Sequence, residues 1–376
     1  MTTMSRMWRG VMIAGVLAVW HPASLVVAAP LLTASDAPQP PADPPPAPAP
    51  PEAPRPELRD LRESQRRAAR RAIEARREAE KRAWSPAGEA PIVKQFKGGK
   101  GITLDLLNMA GDIVVTGGKG RDGTLTVVRR VRGAGRDVGE VLRDLDIVVS
   151  EHANRVAVRT AMPQGHRRNV EGRVRTDYEI ALPPGTALEL KNLQGDVRIV
   201  NVPGDVRVEA YAGDVVAEAL SHVRMLRSMS GDVTLSRSTV NGDANLQTVS
   251  GNVVAQAVKA TSLTLGSVSG SVRVRESSSD RALVRTVSGD IEFAAALRPS
   301  GRYELRTHAG DIVVVAAGGP GFEFEANTLK GDVTADVPTE PVMPGMRQLR
   351  GSVGDGSAFF DLTTFTGDIR VRKQQR

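Results

Sequence analysis

"RSMSGDVTLSRSTVNGDANLQTVSGNVVAQ" occupies Arg227–Gln256. Gly-Asp or Gly-Asn recurs in it at 231, 242 and 251, each time just ahead of a short run alternating apolar and polar residues. Alternation of period two marks a half-buried β-strand. Gly supplies backbone angles that other residues resist, and Asp or Asn bonds nearby backbone amides as an Asx-type turn. The stretch therefore reads as strand, corner, strand, second turn.

The pattern extends in both directions. The main glycines stand at 195, 213, 231, 251, 270, 289, 310 and 331, spaced 18 to 21 apart, with extra ones at 204 and 242. With each Gly as position 0, positions −7 and −5 are apolar, as in Leu188/Leu190, Leu263/Leu265 and Phe360/Leu362. Position −3 is small and polar: Asn192, Ser228, Thr248, Ser267, Thr286, Thr307, Thr328 and Thr364. Position −2 is mostly apolar, with His308 the exception, and positions +2 and +4 are apolar, as in Val233/Leu235. A β-repeat of fixed period near twenty predicts a β-solenoid, whose units bury their apolar faces only against a shared core. The fold class is thus all-β, a β-solenoid or β-helix of 18–21-residue coils. At a strand spacing of about 4.8 Å the coils from Gly195 to Gly367 make a stack roughly 40 Å long. The Ser/Thr row is expected to form a hydroxyl ladder along it.

The structural turn motif comprises Gly195-Asp196, Gly213-Asp214, Gly231-Asp232, Gly289-Asp290, Gly310-Asp311, Gly331-Asp332 and Gly367-Asp368. Residues 191–374 are assigned to the repeat solenoid and 91–190, which is β-patterned but aperiodic, to an N-terminal β region that caps it. A short helix is expected near Val138–Leu145. The aromatic-rich "SAFFDLTTFTGDIRVR" is expected to close the other end.

Upstream, Arg6 and Arg9 precede the apolar "VMIAGVLAVW" and then "LVVAAP". That is the layout of a signal peptide over 1–29, and it predicts export to the periplasm or cell surface. Retention as an anchor is the competing reading. Residues 30–56 form a Pro/Ala-rich linker, with eleven prolines between Pro38 and Pro56, a semi-rigid spacer. Residues 57–84 are rich in Ala, Arg and Glu, contain no Gly or Pro and read as one basic helix. It is either a solvated helix held by pairs such as Glu63–Arg67, a short coiled coil, or an arm for anionic polymer or a membrane surface. Arg66, Arg67, Arg70 and Arg71 lie on one side and are the candidate contacts for an anionic partner.

The chain has 376 residues, 50 basic against 43 acidic, and no cysteine. Disulfides, thiolate chemistry and Cys-zinc sites are excluded. The stretch 55–82 alone holds eleven basic and six acidic residues, so the solenoid is nearly balanced in charge. Together with 3% aromatics this argues against nucleic acid as a partner.

The combination of "NMAGDIVVTGG", "DYEIALPPGTALELKNLQGDVRI", the "TVSGDI" of the repeat and "GDGSAFFDLTTFTGDIRVRK" resembles the bacterial putative-adhesin family of envelope proteins, a domain of unknown function, over roughly 91–374. The resemblance implies an exported, non-catalytic β-solenoid tied to adhesion or envelope-stress sensing, and it brings no catalytic residues.

Two chemical readings compete with turn formation. Repeated Gly-x-Asp motifs bind calcium in nine-residue β-rolls, but "GGxGxD" is absent and most spacings here are 18–21. Some β-helix proteins act on polysaccharides through clustered carboxylates, yet here the prominent Asp residues all belong to the corners. None of His152, His166, His222 and His308 sits in a metal-binding motif. The sequence therefore predicts no enzyme, cofactor or metal. Its expected partner is an envelope protein or anionic envelope polymer, and the alternative is a polysaccharide-active lyase or hydrolase.

Overall fold

The computed structural model describes residues 83–87, 90–132, 146–161, 173–337 and 347–373, with single positions at 68, 71, 75, 79, 142 and 339. The expected signal peptide and Pro-rich linker lie outside them. Of the expected basic helix, Ala68, Arg71, Ala75 and Ala79 are described, and all four are helical and exposed. Leu142 is helical within the Val138–Leu145 stretch.

From Ala187 to Ala316 the chain coils as its period predicts. Each coil has a long strand such as Asp205–Ala212, a Gly corner, then a short strand such as Val215–Glu218. Long strands pair in parallel with long strands, so Val208 lies between Leu190 and Leu226. Short strands pair with short ones, so Val215 lies between Val197 and Val233. Position −5 then stacks as Leu190, Val208, Leu226, Leu246, Leu265, Val284 and Leu305, facing Val197, Val215, Val233, Val253, Val272, Ile291 and Ile312 from position +2; none is more than 1% exposed. Parallel pairing buries both columns as continuous apolar rows, which is why the core needs no large side chains through the middle coils.

The ends depart from the expected order. The first assigned region is not only a cap. Thr103–Asn108 and Ile113–Gly117 pair in parallel with Ala187–Gln194 and Val197–Val200, adding a coil around Gly111. Arg155–Ala161 and Val174–Leu182 pair in parallel with the other side of that coil. The outermost coil therefore comes later in sequence than the one it covers. Its corner is Thr176-Asp177 rather than Gly-Asp, and 162–172 separates its two strands, so it escaped a search by period. Asp146–His152 and Asp122–Val131 close this end by antiparallel pairing.

The other end repeats the device. "SAFFDLTTFTGDIRVR" does not cap the stack; Ala358–Thr366 and Ile369–Lys373 are its penultimate coil. They lie between Arg302–Ala309/Ile312–Ala316 on one side and Phe322–Lys330/Val333–Ala335 on the other. The outer coil carries Gly331, and Gln348–Val353 covers its edge in antiparallel fashion. Phe293, Tyr303, Phe360 and Phe322 form a buried aromatic run across this junction, with Tyr303 stacked on Phe360 at 4.8 Å between ring centroids. Among the described residues, an antiparallel strand at each end leaves no long parallel edge open to another chain.

Candidate functional site

The corner, Gly-Asp in most coils, recurs along the whole stack, and its chemistry runs between coils. A Cβ built on Gly213 would meet the carbonyl oxygen of Gly195 at 2.0 Å, one on Gly251 that of Gly231 at 2.2 Å, and one on Gly270 that of Gly251 at 1.8 Å. The same column continues through Gly289, Gly310, Gly367 and Gly331. Gly231, Gly251, Gly270 and Gly289 lack the positive φ of Gly195 and Gly213. Glycine is therefore required here by the close approach of the coil beneath, beyond any need for unusual backbone angles.

That close approach changes what the flanking polar residues do. The expected hydroxyl ladder is replaced by bonds to glycine carbonyls. Ser228 Oγ donates to Gly213 O at 2.9 Å, Thr248 Oγ1 to Gly231 O at 2.8 Å, Thr286 Oγ1 to Gly270 O at 2.9 Å and Thr328 Oγ1 to Gly367 O at 3.0 Å. In the Gly195 coil Asn192 Nδ2 takes the role, reaching Gly111 O at 3.1 Å. The aspartates likewise bond across coils. Asp214 N donates to Asp196 Oδ1 at 3.0 Å, Asp232 N to Asp214 Oδ1 at 2.8 Å, Asn252 N to Asp232 Oδ1 at 2.7 Å and Asp368 N to Asp311 Oδ1 at 2.9 Å. Where the backbone turns and the ladder between strands is interrupted, two side chains per coil supply the missing bonds. Among the described residues no cluster of three or more His, Asp or Glu is placed to hold a metal ion.

The outer face of the long strands carries charge that is paired both along a strand and between coils. Arg207 bonds Glu209 at 2.6 Å, Arg285 bonds Glu304 at 2.7 Å, and Arg306 reaches Asp361 at 3.0 Å. The Arg207 bond holds the Glu209 carboxyl below its ordinary range, and the Arg350 bond does the same for Glu325. Near the first coils Asp105 receives Arg155 Nε at 2.9 Å and Arg159 Nη2 at 2.5 Å. Burial acts to raise the Asp105 pKa, but the two guanidiniums together outweigh it and hold the carboxyl below the usual value. Tyr178, whose hydroxyl lies 2.7 Å from Thr160 Oγ1, is pushed up to about 12 by burial. Each of these carboxylates is engaged by an arginine, an arrangement suited to fixing a surface.

Position −2 is the row whose meaning the sequence reading missed. Residues −7, −5 and −3 share one parity and point inward, so −2 must point out. The exposed large apolar residues include Met109, Leu193, Tyr211, Met229, Val268, Val287, Leu329 and Phe365, each 37–64% exposed. All eight are at position −2 and stack in successive coils. His308 occupies the same row and stacks on Phe365 with ring centroids 4.7 Å apart. Of the candidate anionic-partner contacts, Arg71 is helical and exposed, while Arg66, Arg67 and Arg70 lie outside the described residues.

The sequence matches the Toastrack DUF4097 family over residues 102–372. The chain belongs to that family. Similar solved structures include a putative adhesin from Bacteroides fragilis, 14% identical, covering 77% of this chain and 99% of that one at a TM-score of 0.37. A putative adhesin from Parabacteroides merdae is 9% identical over 77% of this chain and 98% of its own, also at 0.37. A putative lipid binding protein from Parabacteroides distasonis is 14% identical over 77% and 98%, at 0.36. No curated protein matches the sequence. The matched family range begins at the first coil strand and stops within the intercalated last one, so the Toastrack domain is the solenoid itself, with the Pro-rich and Arg-rich segments outside it.

Proposed function

We propose that this Toastrack chain is an exported, non-catalytic, adhesin-like rod that binds or scaffolds at the bacterial cell envelope. The carrying observation is the engagement of the corner carboxylates. Asp196, Asp214, Asp232, Asp311 and Asp368 each accept the backbone N–H of the next coil. A fold that uses its repeated acid groups to hold its own stack offers a partner a long, regular face. The signal-like N-terminus and Pro-rich spacer support export and display at a distance. The basic helix, through Arg66, Arg67, Arg70 and Arg71, is the proposed second contact, to an anionic envelope polymer or a membrane surface. Envelope-stress sensing through an inner-membrane protein is part of the same proposal.

A crosslinked pull-down from cell envelopes tests it, with the full chain and a version lacking residues 55–84. Recovery of the same protein or glycan by both assigns binding to the solenoid. Recovery by the full chain alone, abolished by salt, assigns it to the helix. Recovery of nothing by either overturns the proposal. Release of new reducing ends from envelope polysaccharide by the purified chain would instead favour the lyase or hydrolase alternative.

A further inference from the structure

We propose that the outward apolar column is a self-association surface, along which two copies pack face to face with their solenoid axes parallel. Unlike the envelope-binding proposal, this one concerns the chain's own assembly and stands on different observations.

The first is continuity. Parallel register places Met109, Leu193, Tyr211, Met229, Val249, Val268, Val287, His308, Phe365 and Leu329 in successive coils, because the residues on either side of each are paired across coils. Ten positions at about 4.8 Å make a stripe roughly 43 Å long. Isolated exposed apolar residues need no explanation, but a contiguous row of this length does.

The second is area. Eight of these side chains are 37–64% exposed. Their exposed surface is on the order of 700 Å² per copy, so two apposed stripes would bury about 1,400 Å², the size of a stable specific interface. Position −1 beside the stripe holds Ala110, Ala212, Ser230, Ser250, Ser269, Ser288 and Ala309, small enough to let a second surface come close.

The third is period. A helix presents one apolar residue per turn of about 5.4 Å, and over nine steps of about 4.8 Å it falls out of register by a whole turn. A second parallel solenoid has the same repeat and stays in register from end to end. Another copy of this chain meets that condition residue by residue.

The fourth is charge, which decides the direction. On one side of the stripe, position −4 carries Lys191, Arg227, Arg285 and Arg306 against Glu209. On the other side runs the column of corner aspartates. Antiparallel packing would set basic side against basic side and aspartate column against aspartate column. Parallel packing about a two-fold along the solenoid axis sets each basic side against the partner's aspartates. Lys191, Arg285 and Arg306 already face Glu209, Glu304 and Asp361, so this rim selects orientation more than it adds affinity.

The chain's lack of cysteine makes the test direct. Single variants Leu193→Cys, Val268→Cys and Leu329→Cys in the full chain, treated in cells with a bis-maleimide spanning about 10 Å, the spacing of packed β-sheets, report which residues meet. In parallel packing every position faces its own copy, so all three give a crosslinked homodimer, while Arg198→Cys on the short-strand face does not. Crosslinking of Val268→Cys alone would mean antiparallel packing and overturn the arrangement. No homodimer from any of the three, or equal yield from Arg198→Cys, would overturn the interface. Tyr211→Asp/Val287→Asp, both at exposed positions, should raise the dimer dissociation constant about 100-fold in sedimentation analysis, with unchanged circular dichroism and protease resistance. Unchanged association in that variant would also overturn the interface.

Discussion

Each coil of this protein turns twice, and the two corners solve the same problem by opposite means. At the first, glycine is compulsory because the carbonyl of the adjacent coil lies about 2 Å from where a Cβ would be. At the second, Asn201, Ala219, Arg237, Ala257 and Glu276 adopt left-handed φ of 47–57° without being glycine. There the strain is conformational, about 1 kcal/mol per residue, and residues as different as Ala, Asn, Glu and Arg bear it. A contact between coils admits one residue type and leaves a repeat in the sequence. A backbone angle admits many at modest cost and leaves none.

The difference can be tested by exchange. Gly270→Ala should be the most damaging, since the added methyl meets Gly251 O at 1.8 Å and only a parting of the coils relieves it. A loss of about 4 kcal/mol or more is expected, read as a collapse of the thermal midpoint or of protease resistance. Gly242→Ala, whose Cβ would meet nothing within 4 Å, bears only a left-handed φ of 115° and should lose about 1–2 kcal/mol in the same assay. If the two are equal, the stacking explanation of the first corner is wrong. Thr248→Val keeps the shape but withdraws the hydroxyl from Gly231 O, and about 1–2 kcal/mol should go in chemical denaturation.

Asp105 sharpens the same contrast away from the corners. Its carboxyl is held below 3.8 in the folded chain by Arg159 and Arg155. Its contribution to stability is therefore complete above that value and is lost as pH falls through and below it. With both arginines partly in solvent, Asp105→Asn should cost about 1 kcal/mol at pH 7 and progressively less as pH falls below the ordinary carboxylate range, measured by parallel denaturant titrations. The smallest effect is expected at the second corner. Ala257→Gly removes the left-handed strain but frees the unfolded chain, so a change within about 0.5 kcal/mol of zero, on the stabilising side, should appear in the thermal midpoint.

The same reasoning explains what the sequence could show. The coils from Gly195 to Gly310 were legible because each repeats an inter-coil contact that tolerates little variation. The coil closed by Thr176-Asp177 was not, since it lacks the glycine and is split by 162–172. Nor was the exchange of order at either end, because periodicity records that coils stack and is silent about which lies next to which. The outward row at −2 was present in the pattern and readable by parity. Lying one residue from the inward −3 row, it alternates to the surface, whatever its apolar character.

The intercalated coil also sets a timetable. Residues 322–335 are made before 358–373, yet they are joined to the rest of the stack through them, Asp368 N bonding Asp311 across 57 residues of sequence. While the nascent chain is still short of Ala358, the Gly310 coil and the Gly331 coil each hold an unpaired parallel edge with a gap of one strand between them. A premature stop within that interval would leave both edges open, the kind of surface that aggregates and is cleared by proteases. Completion of the stack is thereby coupled to synthesis of the segment that closes it.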